Sequence, residues 1–394
     1  MGCPFLKGEK MRRELELYIH IPFCVKKCAY CDFLSGPASD SKVEEYVRAL
    51  VTEIGYYQEF SKKYEVSTVF FGGGTPSLLT GEQMQRIMDA LRQSFSFRET
   101  VEITMEANPG TVTVEKLRAY QKAGINRLSF GLQSVNNEEL KLLGRIHTYE
   151  EFLESYEAAR NAGFQNINVD LISAIPKQTI RSWEQTLQTI IRLQPEHISA
   201  YSLIVEEGTP FAKLYGEGYE MEHLLPTEEE ERRMYERTEE LLWEAGYHRY
   251  EISNYAKEGY ECEHNLGYWE RKEYLGLGLG ASSLIEETRF SNTEVMEEYL
   301  QNVKNPHLLR KGQEGLDKQE QMEEFVFLGL RKMKGIREER FADLFGEDIW
   351  NCYGDNLKRM IQEGLLEKEE GALRLTRKGI DISNYVFAEI LSED

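Results

Sequence analysis

The chain has no apolar run approaching the ~20 residues that a membrane-spanning helix needs, so no transmembrane segment is expected. Basic charge is scarce: 47 Lys and Arg face 68 Asp and Glu, a net charge of -21, which argues against a general nucleic-acid binder. Much of the excess sits in runs such as Glu228–Glu231, which read as solvated helix faces. Six cysteines, three of them bunched, make no disulfide framework. Met1–Glu14 is polar and lacks the apolar core of a signal peptide, and no internal repeat or low-complexity linker is evident. A cytoplasmic protein is the expectation. With 394 residues, 41% of them hydrophobic, two or three domains with buried cores are expected.

For about two hundred residues, strand and helix patterns alternate. Apolar β-rich runs occur at Leu15–Ile21, Val66–Phe71, Val101–Glu106, Asn126–Gly131, Asn166–Ile172 and His197–Leu203. Helical periodicity fills Ser41–Phe60, Glu82–Phe95, Thr113–Ala123, Glu150–Ala162 and Ile180–Leu193, with a short extra helix at Asn137–Leu143. Six βα units in series predict an α/β fold, a parallel barrel or open sheet, with sites at the C-terminal ends of the strands. The expected organisation is an extension over 1–14, the partial barrel over 15–215, an α+β accessory region over 216–317 and a winged-helix-like unit over 318–394. That last unit is read from helices at Gln319–Met333, Arg337–Phe345, Trp350–Glu363 and Ile380–Leu391 and a hairpin at Leu365–Leu375. It is not notably basic, so a structural or partner-binding role is expected rather than DNA binding. The glycine-spaced Gly276–Ala281 lacks a dinucleotide fingerprint and predicts close backbone packing or a loop beside the site.

Cys24, Cys28 and Cys31 fall in one loop directly after the first strand, in C-x3-C-x2-C spacing. An electron-transfer [4Fe–4S] cube takes four cysteines, so a triplet leaves one iron free for a small molecule. Zinc, which usually draws on two C-x2-C pairs, and incidental thiols are the alternatives. Other polar groups gather at the following strand ends: Gly73, Gly74 and Thr75 in a Gly-rich turn, then Glu106, Gln133, Arg145 in a connection, and Asp170. Singly, each suits a structural role. Together they offer donors and acceptors for an adenosine, a ribose and a zwitterionic amino acid.

The cysteine spacing matches the radical S-adenosylmethionine (SAM) enzymes. Tyr18–Cys24, Phe71–Pro76 and Asn168–Ile172 together resemble the oxygen-independent coproporphyrinogen oxidase group of that superfamily, from about Leu15 to near the C-terminus. The resemblance implies a [4Fe–4S] cluster on Cys24, Cys28 and Cys31. It implies SAM contacts from Tyr18, Tyr30, Gly73, Gly74, Thr75, Glu106, Gln133, Arg145, Asp170 and Ser202, with Ser282 a further position. Ala174-Ile175-Pro176-Lys177-Gln178 departs from the group's G-L-P-G-Q.

Within the group, the oxidase has a fourth cysteine two residues after the triplet and a longer N-terminal extension; this chain has Phe33 and fourteen residues. His264-Asn265-Leu266-Gly267-Tyr268-Trp269 matches the H-N-x-x-Y-W motif of the haem-chaperone branch. It implies haem bound through His264, Tyr268 and Trp269, at a site separable from the radical centre, with Cys262 as an alternative ligand. Structurally, the same residues read as packing aromatics and a hydrogen-bonded histidine. The remaining histidines (His20, His147, His197, His223, His248 and His307), Cys3 and Cys352 show no ligand spacing. The expectation is a haem chaperone holding a [4Fe–4S] cluster, SAM and haem. Its partners would be acceptor haemoproteins, in solution or at a membrane, and a flavodoxin- or ferredoxin-type reductant; no nucleic acid is expected, and a homodimer is left open. The alternatives are coproporphyrinogen decarboxylation and a radical SAM methyltransferase or haem-degrading enzyme.

Overall fold

The computed structural model describes residues 12–391; Cys3 and most of the 1–14 extension lie outside them. Six strands run parallel and side by side: β1 (Arg13–Ile21), β2 (Tyr64–Gly73), β3 (Phe97–Ala107), β4 (Arg127–Gln133), β5 (Ile167–Ser173) and β6 (His197–Ser202). Helices at Asp40–Tyr56, Gly81–Ser94, Val114–Ala123, Tyr149–Ala162 and Ile180–Leu193 connect them in turn, and the short helix Asn137–Leu142 follows β4. Each of the six strands and five long helices lies within a few residues of its sequence expectation. Capping residues account for the sharp helix starts: Thr80 and Thr148 each close a reciprocal capping box, with Gln83 and Glu151.

The sheet continues past both flanks of this barrel. β7 (His248–Arg249) and β8 (Asn254–Ala256) add antiparallel beyond β6. β9 (Tyr274–Leu277) pairs parallel with β1, and β10 (Ser282–Ile285), β11 (Thr288–Asn292) and β12 (Arg310–Gly315) extend that side, making twelve strands in order β12-β11-β10-β9-β1-β2-β3-β4-β5-β6-β8-β7. The sequence predicts an α+β region over 216–317 without placing its strands. These segments are short, and several of their residues are charged.

Successive strand residues face opposite sides, and the two faces differ sharply here. Leu15, Leu17, Ile19 and Ile21 of β1, Ile103 and Met105 of β3, Leu128, Phe130 and Leu132 of β4, and Val169 and Leu171 of β5 belong to the core beneath the helices. The intervening residues point into the barrel and are largely polar: Tyr18, His20, Glu106, Arg127, Ser129, Asn168, Asp170 and Ser199 line its cavity.

Gly276–Ala281 is close backbone packing. A Cβ at Gly276 would meet the Ser282 carbonyl at 2.2 Å, and one at Gly278 the Tyr46 hydroxyl at 2.4 Å. This packing surrounds the buried Glu53, whose carboxylate accepts from Gly278 N (2.9 Å), Asn292 Nδ2 (2.7 Å) and Tyr299 Oη (2.6 Å).

The C-terminal region has its own core, from Met322, Val326, Phe341, Leu357 and Leu373 to Val386 and Ile390. Helices Lys318–Gly329, Glu338–Phe345 and Ile349–Gln362 pack with a three-stranded sheet of β13 (Ile336–Arg337), β14 (Leu366–Glu369) and β15 (Ala372–Leu375) in a winged-helix-like arrangement. The single last helix expected over Ile380–Leu391 is two, Arg377–Asp381 and Ser383–Leu391. Thr376 caps the first by accepting from Gly379 N, and Ile382 leaves helical geometry with φ -126° and ψ 37°.

Candidate functional site

The cysteine loop leaves β1 at the barrel rim and is pinned there. Cys24 N donates to Gly36 O (3.0 Å), and Ala29 N donates to Leu143 O (3.1 Å). All three thiols are partly exposed. Thr75 Oγ1 donates to Cys24 Sγ (3.4 Å), and Arg145 Nη1 donates to Cys28 Sγ (3.5 Å), so a cation and a hydroxyl already face the sulfurs as thiolates would require. Among the described residues no three His, Cys, Asp or Glu side chains converge on one point. Three thiolates leave a tetrahedral structural zinc ion one protein ligand short, whereas a cube takes each thiolate on a different iron. The donor set fits a three-cysteine cube.

The Gly-rich turn serves the loop as much as a ligand. Gly73 has φ +108°, and a Cβ there would meet the His20 ring at 2.4 Å; one at Gly74 would meet Phe23 O at 2.6 Å. Gly73 N donates to Glu106 Oε2 (3.2 Å). Arg145 Nη2 donates to Asn108 Oδ1 (2.7 Å) and Gly131 O (2.5 Å). Asp170 accepts from Ser129 Oγ (2.9 Å) and Asn168 Nδ2 (2.7 Å). Burial and the neighbouring Asp170 push Glu106 up to about 8, and burial also raises Asp170. Two buried carboxyls on facing strands suit a cationic ligand, which would draw the proton off.

One cavity of about 690 Å³ opens inside the barrel, within the range of cofactor pockets. Tyr18, Gly73, Glu106, Asp170 and Ser282 line it, and so do Asn265, Tyr268 and Trp269. Cys28, Thr75 and Arg145 line a small cleft on the rim. Tyr30 packs edge-on to Phe211 in a cluster with Leu143 and Ile175. Gln133 is buried beside Gly131 with a left-handed φ of +76°. The Ser202 hydroxyl donates to Glu231 and lies outside the cavity lining.

The H-N-x-x-Y-W residues form a short helix, Glu263–Trp269. The Glu102 carboxylate accepts from Glu263 N (3.1 Å) and His264 N (3.3 Å), in place of a side-chain cap at Cys262. Its glycine presses on β1: a Cβ at Gly267 would stand 1.8 Å from Glu16 Oε1. Glu16 is fully buried with neither oxygen hydrogen-bonded at normal geometry, and burial raises its pKa well above the carboxylate range.

In this arrangement both ring nitrogens of His264 are engaged within the protein. The ring is buried, stacks on Phe70 at 5.2 Å, and shares Nδ1 with Thr68 Oγ1 (2.7 Å) and Nε2 with Tyr268 Oη (3.1 Å). Burial, with Arg127 nearby, pushes it down to about 3, so the imidazole is neutral. Neither nitrogen is free for iron in this arrangement. Cys262 is fully buried, and its thiol donates to Glu102 (3.5 Å). The motif's aromatics and the strand-end carboxyls share one cavity.

Sequence reasoning missed the inner-face residues Arg127, Ser129, Asn168 and Ser199. Their signal was present as polar residues at every second position within apolar runs.

The Radical SAM superfamily pattern matches residues 18–190, and that of the HemN C-terminal domain matches residues 316–382. The solved structure of coproporphyrinogen III oxidase (HemN) from Escherichia coli, a radical SAM enzyme, superposes with a TM-score of 0.84 at 25% identity, covering 97% of this chain and 91% of that one. A heme chaperone HemW from Bacillus subtilis (strain 168) is 38% identical over 95% of this chain and 99% of that protein. The HemW of Lactococcus lactis subsp. lactis (strain IL1403) is 35% identical over 96% and 97%. With a fold, a cysteine loop and full-length relatives that agree, the chain belongs to the HemW family of radical SAM proteins.

Proposed function

We propose that this chain binds haem in the barrel cavity and passes it to acceptor haemoproteins, while Cys24, Cys28 and Cys31 hold a [4Fe–4S] cluster and the strand ends hold SAM. The observation that carries the reading is the shared cavity, lined by the aromatic Tyr268 and Trp269 and by the carboxyls of Glu106 and Asp170. Relatives named heme chaperone, matched over nearly their whole length, support it. Bound together, the cluster and SAM supply one-electron cleavage of SAM. This chain's own part is to seat the ligands. Tyr18, Tyr30, Gly73, Gly74, Thr75, Gln133 and Arg145 are assigned to SAM with Glu106 and Asp170, and Ser202 joins them once its hydroxyl leaves Glu231. His264 fixes the wall from which Tyr268 projects. A flavodoxin- or ferredoxin-type reductant and a soluble or membrane-associated acceptor are the partners proposed. No helix among the described residues is long and apolar enough to cross a membrane.

Phe33 stands at the cavity mouth, 61% exposed, where the oxidase has its fourth cysteine. This favours haem handling over coproporphyrinogen decarboxylation. The test is an anaerobic incubation with coproporphyrinogen and SAM beside a haem titration. Stoichiometric haem binding without protoporphyrinogen is expected; multiple-turnover release of protoporphyrinogen overturns the reading. The Cys24, Cys28 and Cys31 triple alanine variant should lose cluster iron and sulfide and keep most of its haem binding.

A further inference from the structure

Three arginines line the cavity: Arg127, Arg271 and Arg289. The last two are already paired, since Arg271 Nε and Arg289 Nη2 both donate to the Glu324 carboxylate, at 2.7 and 2.5 Å. Arg127 is different. It is 2% exposed, and no carboxylate among the described residues lies within ion-pairing distance; Glu102 and Asp170 act on it only from farther off. Its one hydrogen bond is a long one from Nη1 to Thr104 Oγ1 (3.5 Å), and Nε has no partner. A buried charge is costly unless paired and hydrogen-bonded. The buried Glu53, by contrast, has three donors on its carboxylate.

Position narrows what could complete it. Arg127 pairs with Thr104 at the start of β4, and Ser129, paired with Glu106, lies one two-residue step, about 7 Å, nearer the cysteine loop. It therefore sits deeper in the barrel than Glu106, away from the rim where the zwitterionic end of SAM would meet a cluster. The groups between, Ser129 and Asn168, are neutral, and Asn168 Nδ2 donates to Ser129 Oγ (2.7 Å). A guanidinium with free N–H groups at the floor of an aromatic-walled cavity matches a carboxylate in planar, two-point fashion.

We propose that Arg127 is the floor anchor for a carboxylate of the macrocycle, a propionate of haem, with the ring lying against Tyr268 and Trp269. The assignment rests on haem occupying this cavity. It also supplies a reason for a charged residue on the cavity-facing side of β4: the ligand completes the ion pair.

The test titrates cluster-reconstituted protein with haem and with haem dimethyl ester, whose propionates carry no charge. The parent should bind the ester about tenfold to a hundredfold more weakly. Arg127→Gln should weaken haem binding by a similar factor and leave the ester unchanged, and Arg127→Lys should recover part of the loss. Three outcomes overturn the anchor: a parent that binds ester and haem alike, an Arg127→Gln variant that loses both equally, or one that keeps the parent's discrimination. If Arg127→Gln does not fold, the parent's preference between the two ligands, and Arg127→Lys, decide. A parent that binds neither ligand removes the haem reading itself, and the anchor with it.

Discussion

At Glu106 binding and folding pull in opposite directions. The side chain ionises near 4.5 in an unfolded chain and near 8 in the barrel, so between those values the folded protein holds a proton that the unfolded one has released. Stability therefore falls as pH rises from about 5 to 8, by up to about 1.4 kcal/mol per unit. Glu106→Gln should flatten the melting temperature over that range in SAM-free protein and weaken SAM binding at the same time. A Gln variant with the parent's pH slope would move the effect to another group. The G-L-P-G-Q departure is a second case. Ala174 has φ +58° and Lys177 φ +66°, both left-handed, at the two positions where the group has glycine. Lys177 is exposed, so its charge stays out of the site, and its N–H donates to Leu224 O (2.7 Å). Left-handed geometry costs a non-glycine residue ~1–2 kcal/mol, and glycine forfeits ~0.4–1 kcal/mol through the unfolded chain. Lys177→Gly should thus stabilise by up to about 1 kcal/mol in urea unfolding. At this scale the sequence displayed which residue types gather but not which way they turn: Asp170 faces the cavity, whereas Ser202 bonds Glu231 instead.

The helix Glu263–Trp269 holds its place through two acidic strands, β1 by Glu16 and β3 by Glu102. Gly267→Ala should push its methyl into a carboxyl that has no room to retreat, costing ~1–3 kcal/mol and disturbing the cavity wall. Trimming Glu16 in the same chain should restore much of the loss, a coupling that a double-mutant cycle reads directly. Additive effects would mean that the two do not meet. The barrel strands and helices could be read ahead because their apolar runs and periodicity are long. The flanking β7 to β12 could not: two to six residues, charged positions such as Arg289 and Lys311, and pairing partners far along the chain leave little local signal. The H-N-x-x-Y-W motif was visible as a motif, but its helix turns histidine inward and the aromatics toward the cavity, a choice made by Glu102 and Glu16 from other strands.

Across the molecule, the C-terminal region is tied to the cavity rather than appended to it. Glu324, on its first helix, bridges Arg271 and Arg289, and Arg331 stacks over the Trp269 ring at 4.6 Å. Breaking a buried ion network on one side leaves unpaired charge, at ~3–5 kcal/mol. Glu324→Ala should therefore lower the melting temperature and separate the unfolding of the two cores into distinct transitions, measured by calorimetry; a single unshifted transition would show the bridge to be dispensable. The bridge was not legible from the sequence, since it joins residues 35 and 53 positions apart.

The imidazole of His264 cannot be a wall hydrogen-bonded at both nitrogens and an iron ligand at once. Coordination through it must wait for the ring to leave Thr68 or Tyr268, an event set by the protein and not by how much haem surrounds it. In rapid mixing, then, the ligated spectrum should develop after capture, as a first-order phase whose rate constant levels off as haem concentration rises. Tyr268→Phe, which removes one of the two restraints, should raise that plateau. A rate that climbs linearly without limit would mean that iron reaches an open ligand on first contact.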